Sequence, residues 1–439
     1  VLRAVEQDDA YANLLLPALL AEARLSPADS AFATELAYGT LRLRGYYDRV
    51  ISLVIDRRLE RVDPEVLDAL RLGAHQLLGT RVPAHAAVGE SVALVAAAGK
   101  GSARGFANGV LRAIARSSPG EWRSRALEGL SGDARRAVDT AHPEWVVAAF
   151  RDALDADGRA GELDELLAAD NAAPPVSLVA LPGLSDPAAI GEPGGVSPVA
   201  ARSGGGDPAM NPVVASGRAR VQDEGSQLAA LALSRSRPIQ AGERWLDLCA
   251  GPGGKAALLA AEAALGGARL VANELVPARA GLVRNALAVF DAPPEVEVGD
   301  GVSFAAGHPR TFDRILLDAP CTGLGALRRR PEARWRKTPD DVPGLVAVQT
   351  ALLDAAVIAL KPGGILAYVT CSPHLPETRA VVAGALHRHP GVKTMDTPAV
   401  LAGIATRDLG LRGETHAQLW PHRHGTDAMF IQLLAKVAT

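Results

Sequence analysis

Two cysteines close apolar, strand-like runs in this chain. Cys321 follows residues 314–317 and Asp318-Ala319-Pro320, and Cys371 follows residues 364–369 and Thr370, with Ser372-Pro373 next. The whole chain holds only three cysteines. In an open α/β sheet ligands bind beyond the carboxyl ends of the strands, so thiols at such ends are placed for chemistry. A thiolate can add to an electron-poor ring carbon and so activate its neighbour. On cytosine, addition at carbon 6 with nitrogen 3 protonated turns carbon 5 into an enamine-like nucleophile able to attack a methyl sulfonium. That route needs an activated thiol, an acid near nitrogen 3 and a later way to remove the carbon 5 proton. Cys371, Asp318 and Cys321 are the candidates for these tasks. Free cysteine is commonly a small core hydrophobe, but two of them, each beside a proline and a turn, favour the chemical reading. Cys249 reads as a packing residue whose backbone lines a loop. A zinc site built on Cys371 and His374 lacks further spaced ligands, so no metal is expected.

The third cysteine introduces a second site. Trp245-Leu246-Asp247-Leu248-Cys249-Ala250-Gly251-Pro252-Gly253-Gly254-Lys255 reads as a strand, a glycine turn and a helix start. Gly251, Gly253 and Ala256 satisfy the dinucleotide-loop spacing, whereas a phosphate-binding P-loop fails at Cys249 and Ala256. Glu274 closes the next strand-like run and could hold ribose hydroxyls. Asp300 closes the one after, where an adenine amino group could be read. Asp247 lies inside the first strand. Acidic residues at three strand ends suit the cationic S-adenosylmethionine better than the anionic NAD.

The elements that must position these residues follow from periodicity. Strands are expected at 244–248, 269–273, 295–298, 314–317, 365–369 and 429–434, with helices at 254–265, 277–290, 344–360 and 377–387. This alternation predicts an α/β domain with a parallel sheet over 221–439. Residues 1–120 instead carry helical periodicity, with Ser26-Pro27 and Asp63-Pro64 as N-cap and first-position pairs. Between them, 121–220 reads as linker and a small α+β module, with a poorly ordered Gly/Pro-rich insertion at 182–212.

Composition sets the outer limits. The 439 residues suggest two or three domains, and a 48% hydrophobic share excludes wholesale disorder. No uninterrupted apolar run of membrane-spanning length and no signal peptide are evident, so a reduced, cytoplasmic setting without membrane attachment is expected. Net charge is −3, yet Arg328, Arg329, Arg330, Arg334, Arg336 and Lys337 crowd one short stretch. Nucleic-acid footprints are local patches, and this one is the candidate phosphate contact.

Four stretches resemble the Sun-family RNA cytosine-5 methyltransferases. They are Val221-Gln222-Asp223-Glu224-Gly225-Ser226-Gln227, the Asp247–Lys255 loop, Asp318–Cys321 with Gly323 and the arginine-rich segment, and Thr370-Cys371-Ser372 with Pro376-Glu377. Residues 32–42 and 106–112 are similar to the NusB-type RNA-binding domain. The resemblance implies a multidomain chain: an all-α NusB-like N-terminal bundle, a small α+β middle module and a C-terminal Rossmann-like class I methyltransferase domain. It implies that Cys371 is the nucleophile, Cys321 assists release, and Asp318 contacts nitrogen 3 and the methionine end. It implies S-adenosylmethionine bound by Cys249, Ala250, Gly251, Pro252, Gly253, Gly254, Lys255, Glu274, Arg279, Asp300, Gly301 and Asp318. Related DNA enzymes use the Pro-Cys cysteine as nucleophile, so Cys321 is the rival. The implied substrate is RNA, small-subunit ribosomal RNA first, with tRNA or a non-catalytic assembly role as alternatives, and a monomer is expected. Thr378 departs from the family, standing where a second glutamate is usual.

Overall fold

A computed structural model describes residues 1–8 and 10–438. The chain forms two compact units.

The first unit contains Val1–Ala148, Asp170–Ala172 and Leu327–Lys337. It is helical, with its longer helices at Ala12–Ala23, Pro27–Arg42, Pro64–Gly79, Ala84–Ala97 and Arg104–Ile114. Ser26 Oγ accepts the Asp29 N–H and Asp63 Oδ1 the Glu65 N–H, and proline occupies the first helical position in both cases, where a missing N–H costs nothing. Tyr47, Val50, Ile51, Leu70, Leu111 and Ile114 fill the core. The unit extends past the expected boundary at 120 through two more helices, Pro119–Ala126 and Gly132–Asp139.

The second unit contains a small antiparallel sheet that follows its first helical segments. Its strands are β1 (Ser177–Ala180), β2 (Glu192–Pro193), β3 (Ala200–Arg202) and β4 (Ala219–Val221), in the order β2-β3-β1-β4. The segment expected to be a poorly ordered insertion therefore supplies two strands. Its anchor is remote in sequence: the buried Glu224 carboxylate accepts the N–H groups of Gly195, Val196 and Ser197 at 2.9, 2.7 and 2.9 Å. Loop composition does not report such a partner.

The large sheet contains β5 (Arg244–Leu248), β6 (Arg269–Glu274), β7 (Glu295–Val298), β8 (Phe312–Asp318), β9 (Leu360–Thr370), β10 (Val392–Thr394), β11 (His416–Gln418) and β12 (Phe430–Lys436). The order is β10-β12-β9-β8-β5-β6-β7, with β11 also on β12. Strands β5 to β9 run parallel and β12 is antiparallel to β9, so the sheet is mixed rather than parallel throughout.

Two-residue alternation assigns each face its own core. Trp245, Leu316, Ala367 and Val369 pack with the helices Glu224–Ser234 and Gly254–Leu265. Leu246, Leu248, Ile315, Leu317, Leu366 and Tyr368 pack with Val342–Ala359 and Arg379–Arg388. The stretch Pro339–Ala359 has the length and hydropathy of a membrane span by composition, but Leu352, Leu353, Ala356 and Ala359 are buried against this sheet. Coverage of both faces explains why the central strands read as continuous apolar runs. Arg314 is a buried exception in β8. Its guanidinium meets Glu243 at 2.8 Å and the carbonyls of Leu233 and Ser234 at the end of the preceding helix.

Candidate active site

Strand β5 ends at Leu248, and the chain turns through Cys249 to Gly253 before the helix at Gly254. Glu274 at the end of β6 accepts the Gly251 N–H at 2.9 Å, and Arg279 donates to the Gly251 carbonyl at 2.7 Å. A Cβ at Gly251 would press on the side chains of both. This explains glycine there: acid and guanidinium lie directly against the turn. Asp300 follows β7 and caps the next helix, its Oδ2 taking the Ser303 hydroxyl at 2.7 Å and the Ser303 N–H at 2.8 Å, which hold its carboxyl below the usual range. The sequence-expected cofactor residues Cys249 to Lys255, Glu274, Arg279, Asp300 and Gly301 thus border the ends of β5, β6 and β7.

Asp247 is fully buried, and neither carboxyl oxygen has a hydrogen-bond partner among the described residues. Burial, aided by the nearby Asp318, pushes its pKa well up. An orphaned acid beneath a glycine turn fits a cationic cofactor that would supply the missing partner. Cys249 is pushed up to about 12, chiefly by burial and then by the surrounding carboxylates. It is therefore a thiol at neutral pH, consistent with packing rather than nucleophilic work.

The next two strands carry the other thiols. Cys321 follows β8 and Cys371 follows β9, the strands pair in parallel, and the sulfurs lie 3.5 Å apart. Lys255 Nζ meets Asp318 Oδ2 at 2.8 Å. Burial lowers the Lys255 pKa, but Asp318 first and Cys371 as well outweigh that and hold it above its ordinary value. Cys321 is pushed well up, by its hydrogen bond with Cys371 first and burial second. The two thiols are thus unlike: a lysine cation interacts with Cys371, whereas Cys321 is held protonated.

Sequence reasoning missed the group beneath them. Glu377 is fully buried, and its carboxylate binds Thr322 and Ser372, the residues immediately after the two cysteines. The signal was Pro376-Glu377 beside a strand-end cysteine, six residues after Cys371 in sequence. His422 and Arg423 pair with Glu162, and Trp420 Nε1 donates to Asp157 at 2.9 Å, so that segment anchors a helix end. The same stretch does continue to the active-site turn, where Ala428 N–H donates to the Gly325 carbonyl and Gly325 N–H to Cys371.

The arginine-rich segment behaves differently from the expectation. Arg328 and Arg334 are buried within the first unit. Arg334 donates to the carbonyls of Arg42, Ala141 and Asp170 and to Asn171 Oδ1 at 3.0, 3.2, 2.9 and 2.8 Å. These bonds correct its assignment as a phosphate contact, because a guanidinium enclosed by carbonyls has no face left for RNA. Arg329, Arg336 and Lys337 are half-buried, with Arg336 also bonded to the Ala10 carbonyl. Arg330 is exposed.

A central parallel sheet with an antiparallel strand, a glycine turn after β5 and acids closing β6 and β7 defines a Rossmann-like, S-adenosylmethionine-dependent methyltransferase. Comparison with known proteins makes this specific. Residues 237–435 match the family model described as 16S rRNA methyltransferase RsmB/F, and residues 1–116 match the NusB family. A Mycobacterium tuberculosis protein named as a methyltransferase is 47% identical over 99% of this chain and 95% of its own length. The ribosomal RNA small subunit methyltransferase B of Pseudomonas putida is 34% identical over 100% of this chain and 97% of its own. The crystal structure of PH0851 shares the fold, with a TM-score of 0.78 at 22% identity over 94% of this chain and 91% of that one. The chain belongs to the RsmB/F family of RNA methyltransferases and carries a NusB domain at its N-terminus.

Proposed function

We propose that this enzyme methylates carbon 5 of a cytidine in small-subunit ribosomal RNA through a covalent cysteine–cytosine intermediate. The observation that carries the reading is the pair of strand-end sulfurs 3.5 Å apart beside the Lys255–Asp318 ion pair. Cys371 is the nucleophile. Its thiolate forms a bond to carbon 6, and the displaced electron pair is accepted at nitrogen 3, where the neighbouring Asp318 is the proton-relay group. Bound cofactor supplies an electrophilic methyl group to carbon 5. Once the sulfurs separate and Cys321 has given its own proton to solvent, its thiolate removes the carbon 5 proton. The freed pair forms the carbon 5–carbon 6 double bond, the carbon 6–sulfur bond breaks to restore the Cys371 thiolate, and nitrogen 3 returns its proton to Asp318. The placement of Lys255, whose cation interacts with Cys371, supports this division, since it stabilises an anion on that sulfur.

The cofactor is held along the β5–β7 ends: Asp247 faces its cationic methionine portion, Glu274 the ribose, and Asp300 the adenine, with Arg279 and Gly301 completing the border. A flipped-out cytidine reaches the sulfurs, because neither ring face is accessible inside a stacked helix. The NusB domain and the exposed Arg330 bind RNA backbone, and the protein works as a cytoplasmic monomer.

Covalent trapping tests the assignment. Wild type, Cys321→Ala and Cys371→Ala are incubated with small-subunit ribosomal RNA and labelled S-adenosylmethionine, then separated on a denaturing gel. Cys321→Ala accumulates a stable protein–RNA adduct and Cys371→Ala forms none. The reverse pattern exchanges the two roles, and methyl transfer to tRNA alone moves the substrate.

A further inference from the structure

One buried carboxylate joins the two cysteine turns. Glu377 Oε1 accepts the Thr322 N–H at 2.7 Å and Gln349 Nε2 at 3.2 Å. Its Oε2 accepts Thr322 Oγ1 at 2.5 Å and Ser372 Oγ at 2.9 Å. Thr322 directly follows Cys321, and Ser372 directly follows Cys371. The two hydroxyls also lie 3.1 Å from one another. Gln349 reaches the far side of the first turn, donating to the Pro320 carbonyl at 2.9 Å. Tyr368 OH donates to the Glu377 backbone carbonyl at 2.7 Å, fixing the clamp to β9, and His374 Nδ1 lies 3.5 Å from Oε2.

This is an unusual use of a carboxylate. Leaving a charge in the interior is costly unless hydrogen bonds satisfy it, and here four donors from three elements do so. Burial pushes the Glu377 pKa up, but the contacts from His374, Thr322 and Ser372 outweigh it and hold the group ionised. Every donor but Gln349 belongs to a residue within three positions of a catalytic cysteine or to the turn itself. The bonds therefore help set where each turn sits, together with the backbone bonds from Ala319 to Val369 and from Gly325 to Cys371.

We propose that Glu377 is the positioning residue of the catalytic pair: its carboxylate fixes the Cys321 and Cys371 turns at the separation that lets one sulfur attack while the other reaches the same base. It touches neither substrate nor cofactor. Loss of the clamp leaves backbone bonds between the turns but frees Thr322 and Ser372 beside the sulfurs, and a displacement near 1 Å in such a constellation costs about 100-fold in rate. Glutamine retains an acceptor for the Thr322 N–H and Gln349, and its amide can donate to the two hydroxyls, but it lacks the charge that strengthens the bonds.

The inference rests on the two-cysteine chemistry proposed above, and the Cys321→Ala trap separates the two. If Cys321→Ala accumulates no thiol–RNA adduct on RNA that wild type methylates, the chemistry is wrong. If wild type reacts and the variants below react equally well, only the role of Glu377 is wrong. The experiment measures kcat and KM on ribosomal RNA, the Kd for S-adenosylhomocysteine, and Tm, for Glu377→Gln, Glu377→Ala, Thr322→Val and Ser372→Ala. Glu377→Ala loses about 100-fold in kcat while KM and the cofactor-product Kd change less than about threefold. Glu377→Gln loses roughly fivefold. Thr322→Val and Ser372→Ala, each removing one hydroxyl, fall between wild type and Glu377→Ala. Parallel losses in kcat, cofactor affinity and Tm for all variants overturn the positioning role in favour of simple scaffolding. If Glu377→Ala does not fold, full kcat in both hydroxyl variants overturns it equally.

Discussion

Arg334 separates two meanings of a basic cluster. Its guanidinium is wholly enclosed in the N-terminal unit and donates to three backbone carbonyls and one side-chain amide. Burial pushes its pKa down to about 10, which still leaves it charged at neutral pH. Arg334→Ala removes the donor and leaves four buried acceptors without it, together with a cavity. Removing one side of a buried charge-assisted set costs about 4 kcal/mol. At roughly 2–4 °C per kcal/mol for a unit of this size, Tm falls by about 8–16 °C. Lysine does not rescue it, since one ammonium cannot reproduce a fork aimed at four acceptors. The exposed Arg330 is the comparison: Arg330→Ala changes stability by less than about 0.5 kcal/mol. It lowers the slope of log affinity against log salt for RNA by about 1. Calorimetric melts and filter binding over a salt series read both effects. If Arg334→Ala melts with wild type and lowers the salt slope as Arg330→Ala does, the structural assignment is refuted.

Further outcomes follow from the buried acids. The Asp247 pKa is raised in the folded state, so its contribution to stability is greatest at acid pH and declines as pH rises from about 3.8 through the raised value. Asp247→Asn therefore flattens that part of the stability profile and raises the cofactor-free Tm at pH 7, while weakening cofactor binding by about tenfold or more. An unchanged pH profile by thermal melts would exclude the orphaned acid as its source. Glu162 shows the opposite sign: Arg423, with His422, holds its pKa at about 2 against an ordinary 4.5. Its stabilisation is complete above about 4.5 and is lost as pH falls toward 2. Glu162→Gln should accordingly bring acid unfolding to higher pH, measured by circular dichroism, and an unshifted midpoint would show that the pair contributes nothing. Arg314→Met is expected to cost about 1.5–3 kcal/mol in chemical denaturation because the buried Glu243 loses its nearest cation and keeps Trp245 Nε1 at 2.7 Å and Arg237 at 3.5 Å.

What the sequence revealed was local. The strand–turn–helix around Asp247 to Lys255 is contiguous, and so are the strand ends carrying Cys321 and Cys371, so spacing alone located these elements. Helix starts at Pro27 and Pro64 were legible for the same reason, since cap and proline adjoin. The parts that escaped are those defined by distant partners. Arg334 reads as one charge in a basic run until the Arg42 carbonyl, 292 residues earlier, accepts from it. Residues 182–212 read as loop until Glu224 collects three of their N–H groups. Leu14 and Phe32 fit an apolar helical period yet are exposed at 62% and 43%, because periodicity identifies a stripe without saying that anything covers it. The short strands β10 and β11 have three residues each, too few for alternation to register.

The discontinuous make-up of the N-terminal unit bears on how the protein is made. Synthesis delivers the chain from its N-terminus, so the helices of 1–148 exist well before Leu327–Lys337 does. The carbonyl of Ala141 precedes its Arg334 donor by 193 residues. At about 5–20 residues per second, a nascent chain carries that unfilled socket for roughly 10–40 s. During this interval most of the second unit's parallel strands, and the whole turn bearing Cys321, leave the ribosome. Closure of the helical unit thus becomes a late event in biogenesis, timed by translation of a segment far downstream. A gene fragment ending at residue 148 encodes the helices without the arginine that completes them.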